Sequence, residues 1–112
     1  MQENAKMPVA IFNGVIVTTN GLYSVSDIDI VTARKYIKQN GFISAIGHEA
    51  TAQVLSEILG ITIPVNRVEL QQQVGQKAIA LKLNHRAPEG QILNKQQIME
   101  VGFTLKLIER LK

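Results

Sequence analysis

The sequence predicts a single α+β domain, within the broad α/β class, in which about three helices flank a mixed, mostly five-stranded β-sheet. The length of 112 residues, with 46% hydrophobic and 19% charged residues, suits one compact core. Three segments carry the apolar periodicity of amphipathic helices, together with start or stop signals. The other apolar segments are short and rich in Val, Ile and Leu, which is typical of strands.

The predicted strands are separated by Asn, Gly and Thr-rich turns. In the first strand, Asn13-Gly14 interrupts the apolar run, and a glycine there often marks a bulge or the close approach of a ligand. Val74-Gly75 is predicted to form a hairpin turn between the third and fourth strands, which excludes a purely parallel sheet. The strands are predicted over residues 8–17, 22–25, 61–71, 77–84 and 103–109. In the fourth of them, residues 78, 80 and 82 alternate with the apolar residues 79, 81 and 83.

The three predicted helices have recognisable ends. Asp29 is a good N-cap for the first helix, and Asn40-Gly41 ends it. Gly60 ends the second. Asn94 caps the third, with Gln97 at the position of a capping-box partner. The helices are predicted over residues 30–39, 48–59 and 95–101, which gives the element order β-β-α-α-β-β-α-β.

Composition limits the classes of function. The chain has no cysteine and two histidines, which excludes disulfides and Cys-based zinc sites and argues against a catalytic zinc; we expect no metal. A scattered net charge of +3 and 4% aromatic residues argue against a partner made of long nucleic acid. No apolar run approaches the ~20 residues that span a bilayer, so we expect a soluble intracellular protein. Residues 1–7 are predicted to be a disordered extension ahead of a domain spanning 8–112.

His48 is the most informative single residue. It follows Gly47 at the predicted start of the second helix, where free N–H groups and the positive end of the helix dipole favour anions. Histidine is also the side chain whose unperturbed pKa suits proton transfer near neutrality. Downstream, Arg86 and Glu89 place a cation and a carboxylate on a loop bounded by Pro88 and Gly90. A histidine at a helix start can equally be a capping or packing residue, and such a loop can be a solvated turn.

From Pro8 to its C-terminus the chain resembles the small viral and phage ring nucleases that act as anti-CRISPR proteins against type III systems. The block Ser-Ala-Ile-Gly-His-Glu-Ala-Thr-Ala at 44–52 is the most specific part of the resemblance. Its other parts are Phe12-Asn13, Leu59-Gly60, Asn66-Arg67 and the run from Arg86 to Leu93.

The resemblance implies a cytoplasmic homodimer, in an infected or host prokaryotic cell, that binds cyclic tetra-adenylate in a pocket on its two-fold axis. A four-fold cyclic ligand contains a two-fold axis, and an isologous dimer presents the same patch twice. The implied reaction is attack of a ribose 2′-OH on its own adjacent phosphate, which gives linear di-adenylates with a 2′,3′-cyclic phosphate and needs no metal or cofactor.

The resemblance also implies roles for three catalytic residues. His48 is expected to be the general acid that protonates the departing 5′-oxygen. Arg86 is expected to stabilise the crowded phosphate, because its guanidinium is permanently charged and forked. Glu89 either orients the 2′-OH or holds the imidazole in its protonated form, and the second role is slightly favoured.

Four further residues are expected to bind the ligand. Arg67 is expected to grip a non-scissile phosphate, with a structural ion pair as the alternative. Asn13 is expected to hydrogen-bond the ribose or adenine, with local turn formation as the alternative. Gly47 and Gly90 complete the expected binding residues.

Two other functions fit the composition. The chain could sequester a cyclic oligonucleotide without cleaving it, although a sequestering protein needs no proton donor at His48. It could also be a small viral nucleic-acid-binding protein, which the scattered charge disfavours. The sequence does not distinguish a viral anti-CRISPR protein from a host regulator, because the chemistry of the two is identical.

Overall fold

The computed structural model describes residues 7–15, 17, 19–84 and 94–112. Within them the elements follow the order β-β-α-β-α-β-α-β. Most of the extension predicted at the N-terminus lies outside the described residues. The elements are β1 (Val9–Phe12), β2 (Tyr23–Asp27), α1 (Ile30–Asn40), β3 (Phe42–Ala45), α2 (Glu49–Leu59), β4 (Lys77–Leu83), α3 (Lys95–Val101) and β5 (Phe103–Arg110).

The strands form one mixed sheet in the order β2-β5-β4-β1-β3. β1 is parallel to both β3 and β4, whereas β5 is antiparallel to both β4 and β2. All four residues of β1 are buried, as expected for a parallel strand covered on both faces. The prediction of a mixed five-stranded sheet with three helices in one α+β domain is therefore confirmed.

The two faces of the sheet are covered differently. One face packs against all three helices, in a core whose β4 residues are Ile79 and Leu81. The opposite face carries the small β4 residues Ala78 and Ala80, and its neighbours there are strand residues and Leu70 from the long connection between α2 and β4. The predicted alternation along residues 77–84 is therefore confirmed by which side chains share each core.

The strand predicted over residues 61–71 is wrong, and so is the hairpin at Val74-Gly75. This connection contains no strand, because side chains bind the backbone groups that a ladder would use. Ser56 Oγ accepts a hydrogen bond from the Ile63 N–H at 2.8 Å, and the Pro64 carbonyl accepts one from Ser44 Oγ at 2.6 Å. Pro64 itself has no N–H to donate. The antiparallel partner of β4 is β5 instead.

The end of the first strand and the presence of β3 also differ from the prediction. The first strand ends at Phe12, and a bend follows at residues 13–15, so the Asn13-Gly14 signal marks the strand's end. β3 was missed, because its four residues follow Gly41 directly and are too few to show a period. β3 pairs with β1 from Val9↔Phe42 to Phe12↔Ala45, and α1 forms part of the crossover between these parallel strands.

The helix ends were predicted closely. Asp29 accepts a hydrogen bond from the Thr32 N–H at 2.6 Å, and Asn94 and Gln97 form a capping box. Gly60 ends α2 in the left-handed conformation, with φ of 72°. None of the helices in the described part of the chain has the length and apolarity needed to cross a membrane.

Candidate functional site

The candidate site lies at the edge of the sheet where the parallel strands have their carboxyl ends. Phe12 pairs with Ala45 on one side and with Ala80 on the other, so β1 and β3 end together, and β4 runs in the same direction and continues to Leu83. Asn13 follows β1 directly, and residues 46–48 follow β3. In sheets with parallel strands, ligands bind in the crevice outside these carboxyl ends.

His48 occupies the N-cap position of α2 without capping it through its side chain. Its backbone is extended, with φ of −129° and ψ of 132°, and its carbonyl accepts the first helical hydrogen bond from Ala52. The side chain makes no cap hydrogen bond and is exposed. Neither the capping nor the packing alternative therefore accounts for this histidine among the described contacts. An exposed imidazole at a helix start can meet an anion drawn there by the helix dipole.

Arg67 lies against the turn that carries His48. Its Nε donates a hydrogen bond to the Gly47 carbonyl at 2.9 Å. Its Cγ lies 3.4 Å from where a Cβ on Gly47 would stand. The residue is exposed, and among the described residues it forms no ion pair. Arg67 is therefore held against Gly47, the residue before His48, although 19 positions separate Arg67 from His48 in the chain.

The connection that carries Arg67 is bound to the end of β3. The Asn66 N–H donates to the Ile46 carbonyl, and the Asn66 side-chain amide donates to the Ser44 carbonyl, both at 2.7 Å. Ser44 is buried, and its hydroxyl bonds to Pro64. Sequence reasoning gave no role to Ser44 or Asn66. The only sequence signal for these two residues was that both lie in segments that carry the family resemblance.

Asn13 is half-buried in the bend after β1. No hydrogen bond joins its side chain to another described residue. Gly14 follows with φ of 121°, a conformation that favours glycine, and a Cβ there would meet nothing within 4 Å. Asn13 is thus placed at the same edge as Gly47 and His48.

Arg86, Glu89 and Gly90 lie outside the described residues, and so does His85. The residues on either side of this segment are held in place. The Asn84 N–H donates to the Gly102 carbonyl at 2.9 Å, and Asn94 caps α3. Because β4 is parallel to β1, residue 84 lies at the edge that carries His48.

A metal-ligand cluster or a surface cleft is another kind of site that the described residues could form. Among the residues that the structure describes, no group of three or more His, Asp or Glu side chains could hold a metal. One cavity of about 520 Å³ lies between α1, α2 and Phe42, and another of about 370 Å³ lies beside α2. The residues that line these two cavities include neither His48 nor Arg67, and the side chains of both residues are exposed.

Taken together, these features define a small α+β protein with a candidate anion-binding surface at the carboxyl edge of its parallel strands. The sequence matches the family described as STIV B116-like over residues 9–105. The chain therefore belongs to the STIV B116-like family.

Its relatives come from both viruses and a bacterium. The uncharacterized protein ORF117 of Acidianus two-tailed virus is 42% identical over 93 residues, which are 80% of each chain. The uncharacterized protein YddF of Bacillus subtilis is 33% identical and covers 94% of this chain and 99% of its own length. The uncharacterized protein 26 of Sulfolobus islandicus filamentous virus is 32% identical over 74% of this chain and 71% of its own.

The fold also matches a solved structure. B116 of Sulfolobus turreted icosahedral virus superposes with a TM-score of 0.67, covering 92% of this chain and 99% of its own. The two sequences are 18% identical, so this similarity shows the fold alone.

Proposed function

We propose that the chain is a metal-independent ring nuclease that cleaves cyclic tetra-adenylate, the second messenger of type III CRISPR defence, and so switches off the defence nucleases. The observation that carries the proposal is that the exposed, non-capping His48 directly follows Gly47, whose carbonyl accepts the hydrogen bond from Arg67. His48 and Arg67 supply a proton donor and a fixed cation at a helix start that attracts phosphate. The resemblance described above supplies the substrate.

The reaction is an intramolecular transesterification. The ribose 2′-oxygen forms a bond to the adjacent phosphorus, and the bond from phosphorus to the 5′-oxygen breaks. His48 gives its proton to the departing 5′-oxygen, a role typically worth ~10²–10⁴-fold, and water takes the proton of the 2′-OH. The nucleophile is already beside its target, so most of the remaining task is to position groups and stabilise charge.

The other proposed roles divide between binding and chemistry. Arg67 holds a non-scissile phosphate, and Asn13 and Gly47 contact the ring from the same edge. Arg86 stabilises the reacting phosphate. Glu89 keeps the imidazole protonated, and Gly90 contacts the ligand beside them. These last three assignments follow from the resemblance.

The active unit is proposed to be a two-fold homodimer with the ring between protomers. One chain carries one exposed His48 and one exposed Arg67, whereas a tetra-adenylate ring presents phosphates on opposite sides. A second copy doubles these groups and excludes water, which strengthens each charged contact. Light scattering is expected to give twice the 12.4 kDa chain mass, and titration to saturate at one ring per two chains. A monomer that is fully active with one ring per chain contradicts this arrangement.

The test of the activity is incubation of the protein with cyclic tetra-adenylate in EDTA, followed by chromatography of the products. Linear di-adenylates that end in a 2′,3′-cyclic phosphate are expected. Products with plain 5′-phosphates, or loss of activity in EDTA, contradict the mechanism. Tight binding without cleavage indicates a sequestering protein. A gel shift with duplex or single-stranded nucleic acid that the ring does not compete away indicates a nucleic-acid-binding protein.

A further inference from the structure

The connection between α2 and β4 runs beside the outer edge of β3 and is bound to it by a short hydrogen-bond ladder. Ser44 Oγ donates to the Pro64 carbonyl at 2.6 Å, and the Asn66 side chain donates to the Ser44 carbonyl at 2.7 Å. The Asn66 N–H donates to the Ile46 carbonyl, also at 2.7 Å. Asn66 therefore donates hydrogen bonds to two carbonyls that are two residues apart. These bonds fix its position along the strand, in the way that hydrogen bonds between paired strands fix their register.

These hydrogen bonds lead along the chain to Arg67, which lies at the candidate site. The Val68 N–H donates to the Asn66 carbonyl at 3.0 Å, which closes a three-residue turn with Arg67 at its centre. Arg67 Nε then donates to the Gly47 carbonyl, the next residue along from Ile46. The direction of the Arg67 side chain is thus determined by the residue before it and by the turn around it.

The loss of side-chain entropy in this arrangement indicates that the arrangement has a role. An arginine side chain has high rotamer entropy, which it retains when exposed unless its geometry is fixed. Arg67 is exposed, yet its Nε is bound and its Cγ packs on Gly47. A guanidinium oriented before the ligand arrives loses less freedom on binding, which improves affinity.

We propose that Asn66 is a positioning residue for the anion site, with buried Ser44 supporting it, and that it acts by holding Arg67 on the Gly47–His48 turn. The functional part of this inference rests on the proposed ring-nuclease function. The structural part, that Asn66 controls the Arg67–Gly47 hydrogen bond, does not.

The structural part is tested without ligand by hydrogen exchange of arginine Nε–H groups in ¹H–¹⁵N spectra. The chain contains four arginines, so Arg67→Lys identifies the signal of Arg67 by its loss. Asn66→Ala removes the donor to Ser44 without adding a charge beside Arg67. It is expected to speed Arg67 Nε–H exchange by about tenfold. Arg34, whose Nε donates to the Ile58 carbonyl at 3.0 Å, is the internal control and stays unchanged. Unchanged exchange at Arg67 overturns the inference.

The functional part is tested by a double-mutant cycle on the binding of uncleaved cyclic tetra-adenylate, in a His48→Ala background. Asn66→Ala alone is expected to weaken binding about threefold to tenfold. In an Arg67→Ala background the same change is expected to cost less than about twofold, because its route of action is gone. Equal losses in both backgrounds overturn the inference, since Asn66 then acts independently of Arg67.

Two comparisons separate this inference from other failures. Val68→Ala, an exposed neighbour in the same connection, is the matched control and is expected to leave both readouts unchanged. If Asn66→Ala does not fold, Ser44→Ala is measured instead, with the same expectations. If the wild-type protein neither binds nor cleaves the ring, the proposed function fails, and the exchange experiment still decides the role of Asn66.

Discussion

The two longer helices start at the same edge of the sheet, but only one of them has a side-chain cap at its start. Helices α1 and α2 each have 11 residues. Because β2 and β4 are both antiparallel to β5, β2 runs in the direction of β1, β3 and β4, and both helices start at the carboxyl edge of the sheet. Asp29 closes α1 by accepting the Thr32 N–H, whereas His48 leaves the start of α2 without a side-chain cap.

The difference separates a helix start built for stability from one available for a ligand. An aspartate cap satisfies a free backbone donor and brings a negative charge to the positive end of the dipole. Histidine is not among the favoured N-cap residues, and here its side chain is exposed beside Arg67. The start of α2 thus combines His48 and Arg67 with the carboxylate of Glu49 in its first turn, whereas the first turn of α1 has no acidic residue and its charge is the Asp29 cap itself.

The largest effect is expected from His48→Ala. Single-turnover cleavage is expected to fall by about two to four decades while the affinity for the ring changes little, because the lost group acts mainly in the transition state. The free energy of unfolding is expected to stay within about 0.5 kcal/mol of wild type, since the side chain makes no cap hydrogen bond. Rapid-quench kinetics and urea unfolding measure both. A near-normal cleavage rate, or a loss of binding alone, indicates instead that the role of His48 is structural.

Arg67→Ala is expected to weaken ring binding about tenfold or more, because hydrogen bonds to charged groups are worth about 1.5–3 kcal/mol. Arg34→Ala is the matched control, since Arg34 is also exposed and also bonds a backbone carbonyl, but near the C-terminal end of α2. Isothermal titration with the cleavage-inactive protein measures both. Equal losses for the two arginines mean that general positive charge, rather than the start of α2, attracts the ring.

His48→Asp is expected to convert the start of α2 into one like that of α1. The free energy of unfolding should rise by about 0.5–1 kcal/mol, because the carboxylate caps the helix and complements its dipole. Cleavage should be lost, since a carboxylate repels phosphate at this position. The reverse change, Asp29→His, should lower stability. If urea unfolding shows no gain for His48→Asp, something other than the missing cap sets the stability of this helix start.

The smallest effect concerns pH. The hydrogen bonds from Thr32 lower the pKa of Asp29 below its ordinary value. The ionised carboxylate therefore contributes stability above the unfolded pKa of about 3.9, and that contribution is lost as pH falls through the lower folded pKa. Asn at this position keeps a cap oxygen without the titration. The stability advantage of wild type over Asp29→Asn should thus shrink between pH 5 and pH 2 in urea melts, and a constant difference contradicts it.

Local signals predicted the helices and their caps well. Asp29, Asn94 with Gln97, and Gly60 act within a few residues of themselves, so their effects can be read from the sequence alone. The alternation of residues 77–84 predicted β4 for the same reason, because neighbours on the strand face opposite cores.

The long connection was predicted wrongly because its partners are distant in sequence. Ile61, Ile63 and Val65 alternate like a strand, yet Val65 is 44% exposed and Ile63 bonds to Ser56. Ser44 and Asn66 are 22 positions apart, and no local pattern announces their hydrogen bond.

The candidate site was predicted unevenly for the same reason. His48 stood out by residue type and by its place before a helix. The position of Arg67 beside Gly47 depends on a tertiary contact between residues that are 20 positions apart in the chain. Residues of this kind were found through the resemblance to ring nucleases, not through spacing.

The place of β5 in the sheet has a consequence for how the chain is made. β5 is the last strand in sequence but lies between β2 and β4, and 79 positions separate Asp27 from its register partner Lys106. At ribosomal rates of about 5–20 residues per second, β2 waits roughly 4 to 16 seconds after its synthesis before its partner exists. During that time its backbone donors and acceptors have no strand to pair with. The exposed, mostly small and polar side chains of β2 suit such a wait, because they give other nascent chains little apolar surface to bind.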